Sequence, residues 1–152
     1  MMWFVKSFKE LTTDELYAIL QLRIDVFVVE QNCIYSDIDG KDNLPGALHL
    51  FSVKDDQIAC YLRIFPPGIS YPEMPSLGRV ITHPDFRGTG IGHELLQRAL
   101  QIIDKRWPDK TCHISAQSYL EKFYQQHGFS TVGEGYLEDD IPHIGMERVA
   151  SK

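Results

Sequence analysis

Val80-Ile81-Thr82-His83-Pro84-Asp85-Phe86-Arg87-Gly88-Thr89-Gly90-Ile91-Gly92-His93-Glu94-Leu95-Leu96 is the stretch whose reading decides the fold. It opens as a short apolar strand, breaks at Pro84, and passes through Arg87 and the glycines 88, 90 and 92. It then enters an amphipathic run from His93 to about Lys105, closed by Pro108. Glycine accepts positive φ without steric cost, so successive N–H groups can turn toward one point. A helix start adds unpaired N–H groups and partial positive charge. Together these make an anion nest suited to a pyrophosphate, with the Arg87 charge at its entrance. A P-loop would need GxxxxGK followed by Ser or Thr, which is not present. A dinucleotide fingerprint would need GxGxxG in the first strand–helix unit, whereas these glycines alternate and four strands precede or include the segment. A glycine-rich turn without a ligand is the plain alternative. The ordered succession of strand, proline, arginine, glycines and helix argues against it.

Working outward, Met2 to Phe8 reads as a first strand. Thr12-Thr13-Asp14-Glu15 offers a capping box with Thr12 as N-cap. Leu16, Ile19, Leu20, Arg23, Val26 and Phe27 follow at helical spacing, predicting a helix to about Val29. Residues 33–46 form a long polar loop, of the kind that is often functional. Residues 47–53 and 58–65 read as a β-hairpin, and a fourth strand covers about 76–82. A fifth strand is expected at 111–116 and a short helix at 118–127, which Gly128 can end in the left-handed conformation. Two last strands are expected at 129–133 and 143–149. The order β-α-β-β-β-α-β-α-β-β is that of a mixed α/β (α+β) domain, a sheet of about six to seven strands flanked by helices.

The chain has 152 residues and a formal charge of −6 from 15 Lys+Arg and 21 Asp+Glu. This length fits one domain, expected over residues 1–152, that buries roughly 68–70% of its unfolded surface without disulfides or metal. The sequence pI of about 5.4 argues against a nucleic-acid or anionic-membrane partner. Cys33, Cys60 and Cys112 form no CxxC pair and read as reduced thiols of a cytoplasmic protein. The N-terminus lacks a signal-peptide pattern, and no apolar run suggests a membrane span. The six histidines are scattered without an HExxH pair, so no metal site is expected.

The quoted segment resembles motif A of the GNAT family of N-acetyltransferases: Gln or Arg, two residues, Gly, one residue, then Gly or Ala. Leu120-Glu121-Lys122-Phe123-Tyr124-Gln125-Gln126-His127-Gly128-Phe129 is similar to the family's motif B. The strand order fits the GNAT acyl-CoA N-acyltransferase fold along nearly the whole chain. Arg23 to Cys33, Asp37-Ile38-Asp39-Gly40 and Asp140 to Met146 resemble the ElaA-like subgroup. The RxxVFVxEQ pattern within Arg23–Gln31 also resembles acyl-homoserine-lactone synthases, which share the GNAT core.

The resemblance implies acetyl-CoA as acyl donor and an amine, on a small molecule or peptide, as acceptor. Backbone groups of Val80, Ile81 and Thr82 would pair with the pantetheine arm. The loop Arg87, Gly88, Thr89, Gly90, Ile91 and Gly92, with His93 opening the helix, would hold the pyrophosphate. Gln117 matches a polar position that often contacts the cofactor. Tyr124 matches the tyrosine that commonly protonates the leaving thiolate, and a phenol with a pKa of about 10 can do so; a core aromatic is its plain reading. An oxyanion can be held by a backbone N–H of the fourth strand. The glutamate that several relatives carry on the fourth or fifth strand is missing here. His113, His143 and Glu30 remain candidate bases, and a covalent route through Cys112 is disfavoured because free cysteines are usually buried hydrophobes. Arg23, Glu30, Gln31, Asp37, Asp39, Arg63, Arg79 and His143 are expected in segments that could line the acceptor side, although Asp37 and Asp39 also suit a turn before Gly40. Dimers are common among such folds, so a homodimer is a further expectation. A non-enzymatic CoA-binding domain is the remaining alternative.

Overall fold

The computed structural model describes residues 1–150. Its elements are β1 (Met2–Ser7), α1 (Thr13–Arg23), β2 (Leu48–Lys54), β3 (Gln57–Phe65), β4 (Ser76–Thr82), α2 (Ile91–Arg106), β5 (Cys112–Gln117), α3 (Glu121–Gln125), β6 (Ser130–Glu138) and β7 (Ile141–Arg148). The strands make two sheets, in the orders β1-β2-β3-β4 and β5-β7-β6, rather than one. The chain gathers into two compact units, Met1–Ile64 with Arg79–Leu95, and Phe65–Gly78 with the chain from Leu96 onward.

In the first unit, β1 and β3 flank β2 antiparallel to it. Asp55 and Asp56 turn the β2–β3 hairpin at φ of 53° and 60°, the two positive values that a two-residue type I′ turn requires. Thr12 accepts the Glu15 N–H at 3.0 Å and Glu15 accepts the Thr12 N–H at 2.8 Å, closing the capping box. The same carboxylate meets Lys6 Nζ of β1 at 2.9 Å, tying the helix start to the sheet. Ile19, Leu22 and Val26 then pack with Phe51, Ile58, Tyr61 and Ile81. The helical path does run on past α1, but Ile24–Glu30 widens into π-helical turns. Gln31 N–H bonds to the Val26 carbonyl and Cys33 N–H to that of Val28, each five residues back.

Beside this core lies a buried ionic network. Arg23, with 0% exposure, donates from Nε to Asp37 Oδ2 at 2.8 Å, from Nη1 to Asp42 Oδ1 at 2.7 Å, and from Nη2 to the Asp37 carbonyl at 2.8 Å. Arg63 donates to Asp42 at 2.9 Å and, through both terminal nitrogens, to Asp39 at 2.9 and 2.5 Å. Arg79 Nε lies 2.9 Å from Asp37 Oδ1. Tyr35 donates its hydroxyl to Asp37 at 2.6 Å. His49 Nε2 donates to the Asp42 carbonyl at 3.0 Å, which leaves Nδ1 to accept the Tyr61 hydroxyl at 2.7 Å. Burial pushes His49 below its ordinary pKa, consistent with a neutral ring. The loop over residues 33–46 is thus held by charge rather than by apolar packing.

In the second unit, β7 is the middle strand, antiparallel to both β5 and β6. Cys112, Ile114 and Ala116 of β5 face inward, while His113, Ser115 and Gln117 face outward. Leu96, Ala99, Leu100 and Ile103 give α2 a buried stripe, spaced as one helix face. A fork from Arg148 to Asp104, 2.9 and 3.0 Å, joins β7 to α2. The last two strands run longer than expected and are joined by Asp139 and Asp140 at φ of 50° and 62°, a second type I′ pair. Residues 133–142 resemble a loop in sequence because exposed β6 shows no apolar alternation and its pairing is irregular between Val132 and Tyr136.

Removing one partner of a buried ion network leaves the others unpaired, so Arg23→Ala should cost about 3–5 kcal/mol in urea unfolding. Burial opposes ionisation of Asp39, but the Arg63 hydrogen bonds and charge outweigh it and hold its pKa at about 2. A carboxyl depressed in this way contributes stability above its unfolded pKa of about 3.9 and loses it as pH falls toward the folded value. The urea midpoint should therefore drop between about pH 4 and 2, and Asp39→Asn should make that drop shallower.

Candidate functional site

In the first unit the site is built from β4, the glycine loop and the start of α2. β4 is the last strand of its sheet order, so one of its edges is not paired within that sheet. Such an edge can accept an extended ligand as an added strand. Ile81 anchors β4 in the core at 2% exposure, while Val80 and Thr82 are half-buried. The His83 N–H reaches the Ala59 carbonyl at 2.9 Å, and a single 3-10 turn over Pro84–Phe86 follows. Thr89 Oγ1 donates to the Phe86 carbonyl at 2.6 Å and pins the loop back on that turn.

Gly88 and Gly90 lie at φ of +80° and +82°, with nothing within 4 Å of a Cβ placed on either. Backbone conformation, not crowding, demands these glycines. Gly92 differs from the expectation: it sits in the first turn of α2, beside exposed His93. The Gly90 carbonyl accepts the His93 and Glu94 N–H groups at 3.2 and 3.3 Å. The amides ahead of them precede the intrahelical ladder and are the natural donors for an anion.

Arg87 is less simple than its sequence position suggests. Its Nη1 and Nη2 fork onto Glu30 at 2.5 and 2.6 Å, and its Nε donates to the Thr82 carbonyl at 3.3 Å. The fork holds the Glu30 carboxyl below its ordinary pKa, which weakens Glu30 as a general base. Arg23 and Asp37 also depart from expectation: both are buried in the ionic network and do not line an open acceptor surface.

In the second unit, Gln117 ends β5 directly opposite His143 of β7. The His143 Nδ1 donates to the Ile141 carbonyl at 2.7 Å. In the neutral ring this places the lone pair on Nε2, 3.4 Å from Glu138 Oε2. The Tyr136 ring stacks on His143 with centroids 6.3 Å apart, and its hydroxyl makes a short hydrogen bond with Ser115. His113 Nδ1 is 2.8 Å from Glu147 Oε2, and its ring lies against Tyr71. Sequence reasoning found the two histidines but missed their carboxylates, which arrive through the β5–β7 register and the lengthened β6. Cys112 is buried, and burial pushes its thiol up to about 12, so it is no thiolate nucleophile near neutrality.

Tyr124 sits on α3, whose ending explains the Gly-Phe pair that follows. The Phe129 N–H bonds to the Tyr124 carbonyl at 3.2 Å and the Gly128 N–H to the Gln125 carbonyl at 3.1 Å, with Gly128 at φ +91°. This is a Schellman cap, and its usual apolar contact is Phe129 edge-on to the Tyr124 ring at 5.7 Å. Burial pushes the Tyr124 phenol above its ordinary pKa, so it stays protonated near neutrality. Among the described residues, no three His, Cys, Asp or Glu side chains gather as a metal site would need, and no helix is long and apolar enough to cross a membrane.

Comparison with known proteins shows the family and the fold. Residues 21–150 match the model of an acetyltransferase (GNAT) domain. The chain is 45% identical over 139 residues to the protein ElaA of Escherichia coli, covering 91% of this chain and 90% of that one. The crystal structure of Escherichia coli ElaA superposes with a TM-score of 0.90 at 43% identity, over 97% of this chain and 99% of that one. An acyl-CoA N-acyltransferase from Pseudomonas aeruginosa superposes with a TM-score of 0.92 at 44% identity, over 98% and 100% of the two chains. FeeM, an N-acyl amino acid synthase from uncultured soil microbes, shares the fold at a TM-score of 0.79 and 11% identity, over 97% of this chain and 91% of that one.

A side chain forced to left-handed φ costs about 1–2 kcal/mol. Gly88→Ala and Gly90→Ala should each lose about that much in thermal or urea unfolding. Gly78→Ala, at an ordinary φ with open space around it, should stay within about 0.5 kcal/mol of the parent.

Proposed function

The chain belongs to the GNAT acetyltransferase family and is an acyltransferase, and on that premise we propose that it transfers the acetyl group of acetyl-CoA to a primary amine. The observation that carries the donor side is the pair of left-handed glycines, Gly88 and Gly90, directly ahead of the 16-residue helix α2. Their amides, with those of Thr89, Ile91 and Gly92 and the exposed His93, hold the pyrophosphate. Arg87 joins them by exchanging Glu30 for a phosphate oxygen. The backbone of Val80, Ile81 and Thr82, at the sheet edge, pairs with the pantetheine arm, and Gln117 supplies a further polar contact. This placement lets a protein of net charge −6 bind an anionic cosubstrate through local donors alone.

The chemistry follows from these roles. The amine nitrogen attacks the thioester carbonyl, a C–N bond forms, and the carbonyl oxygen becomes an oxyanion held by a backbone N–H of β4. The C–S bond then breaks, and the leaving thiolate takes the Tyr124 phenolic proton. The nitrogen, cationic once the C–N bond has formed, gives a proton to the lone pair that the Ile141 hydrogen bond leaves on His143 Nε2, and the Glu138 carboxylate stands beside the resulting imidazolium. His143 takes precedence over His113 and Glu30 because it stands directly opposite Gln117, the proposed cofactor contact, in the β5–β7 register. One family domain serves a small-molecule or peptide amine in the cytoplasm, with a homodimer as the expected state. The RxxVFVxEQ pattern within Arg23–Gln31 keeps a second reading in view, an acyltransferase related to acyl-homoserine-lactone synthases that takes a longer acyl donor.

Released thiol, followed with acetyl-CoA and longer acyl-CoAs across a panel of primary amines, tests the proposal. Turnover with acetyl-CoA and one amine class is expected; turnover with long acyl donors alone, or no calorimetric binding of CoA, would overturn it. Tyr124→Phe should lower kcat by about 10²-fold while leaving KM for acetyl-CoA nearly unchanged. His143→Gln should lower kcat by about 10²-fold while leaving KM for acetyl-CoA nearly unchanged. Gly90→Asp should weaken CoA binding more than Gly90→Ala, since it adds negative charge beside the pyrophosphate.

A further inference from the structure

The arginine at the head of the glycine loop already holds an anion. Arg87 Nη1 and Nη2 fork onto the Glu30 carboxylate at 2.5 and 2.6 Å, and Nε donates to the Thr82 carbonyl at 3.3 Å. Both side chains of the pair are exposed, so a solute can reach them. Gly88 and Gly90, at left-handed φ, follow the arginine directly. A guanidinium takes carboxylate and phosphate in the same two-point geometry. The edge of Arg87 that Glu30 occupies is therefore the edge that two phosphate oxygens would need.

Glu30 reaches this place through the winding of its own segment. It is the last residue of the π-helical turns Ile24–Glu30. The Gln31 and Cys33 N–H groups bond five residues back, to the Val26 and Val28 carbonyls, and Asn32 at φ +50° follows. Such turns are rare and are found frequently at functional sites. Val26 is buried in the core cluster, while Val29 and Glu30 are exposed. The segment is thus anchored on one face and offers a carboxylate on the other. Arg87 stands 57 residues further along the chain, so the contact is tertiary. An exposed pair of this kind is weak enough to be exchanged for another anion.

We propose that Glu30 is an internal counter-anion: it holds the phosphate-binding edge of Arg87 in the free protein, gives way to the diphosphate of the acyl donor, and closes on Arg87 again to help CoA leave. The proposal rests on the donor reading given above and adds to it a competitor built into the chain. A carboxylate that must be displaced lowers the apparent affinity for CoA in proportion to the fraction of protein in which the fork is open. The competition acts on the cosubstrate before and after transfer alike, so it does nothing for the chemical step. Its benefit lies in turnover, because product release limits kcat in many enzymes. Pantetheine, which lacks the diphosphate, does not compete with Glu30.

The test is a double-mutant cycle on the full chain, with CoA and pantetheine as probes. Calorimetry on Glu30→Gln should show CoA bound about fivefold more tightly than by the parent, and pantetheine bound as before. Stopped-flow displacement should place that gain in a slower release of CoA. In the Arg87→Ala background, Glu30→Gln should leave CoA affinity unchanged, because there is no guanidinium left to contest. Unchanged or weaker CoA binding by Glu30→Gln, or an unchanged release rate, would overturn the proposal. So would equal tightening in the Arg87→Ala background, which would mean that only a nearby negative charge had been removed. The parent protein gives a further readout that needs no variant: the 13C resonance of the Glu30 carboxyl should move when CoA binds and stay in place with pantetheine. A carboxyl resonance unmoved by bound CoA would overturn the proposal. A parent that binds no CoA would instead overturn the donor reading, and the proposal with it.

Discussion

Three arginines, Arg23, Arg63 and Arg79, meet three aspartates, Asp37, Asp39 and Asp42, largely out of reach of water, and the first unit is arranged around that meeting. The arginines arrive from α1, β3 and β4, while every aspartate comes from the loop that follows the π-helical turns. Taking these charges largely out of water is tolerable because they balance in sign and are paired with one another. The loop is inverted relative to an ordinary one. Its apolar side chains face solvent, Ile34 at 99% exposure and Ile38 at 60%, while Asp37 and Asp42 are buried. Charge pairing does for this segment what a hydrophobic stripe does for a helix.

That inversion explains where the sequence was readable. Elements fixed by local chemistry could be placed from residues alone: the Thr12–Glu15 box, the β2–β3 hairpin, β4, and the helix after the glycines all lie close to their expected positions. Seven strands and the GNAT order were likewise legible, though their division into two sheets was not. What failed was what depends on distant partners. No periodicity marks the π-helical turns after Arg23, and the long β6 carries glycines and exposed polar residues where a strand pattern was sought.

The candidate site divides along the same line. The glycine loop was legible because positive φ and a helix start leave a local signature. So was the Tyr124-to-Phe129 motif, whose wording is that of a helix C-cap with an aromatic contact. The Arg87–Glu30 fork was not, since its partners stand 57 residues apart. Nor were the carboxylates beside His113 and His143, or the left-handed Arg79, whose conformation is imposed by the buried network rather than by its neighbours.

The unpaired edge of β4 has a meaning apart from catalysis. A sheet edge that can accept an extended ligand can equally receive the edge of another chain, the first step toward aggregation. A long, flat strand is the dangerous form, and kinks that turn an edge away from straight pairing are one way proteins blunt it. Arg79 puts such a kink at the middle of this strand, immediately ahead of Val80. The same bend makes this edge a poor match to a full-length strand, so that protection against edge pairing draws on a single residue's conformation.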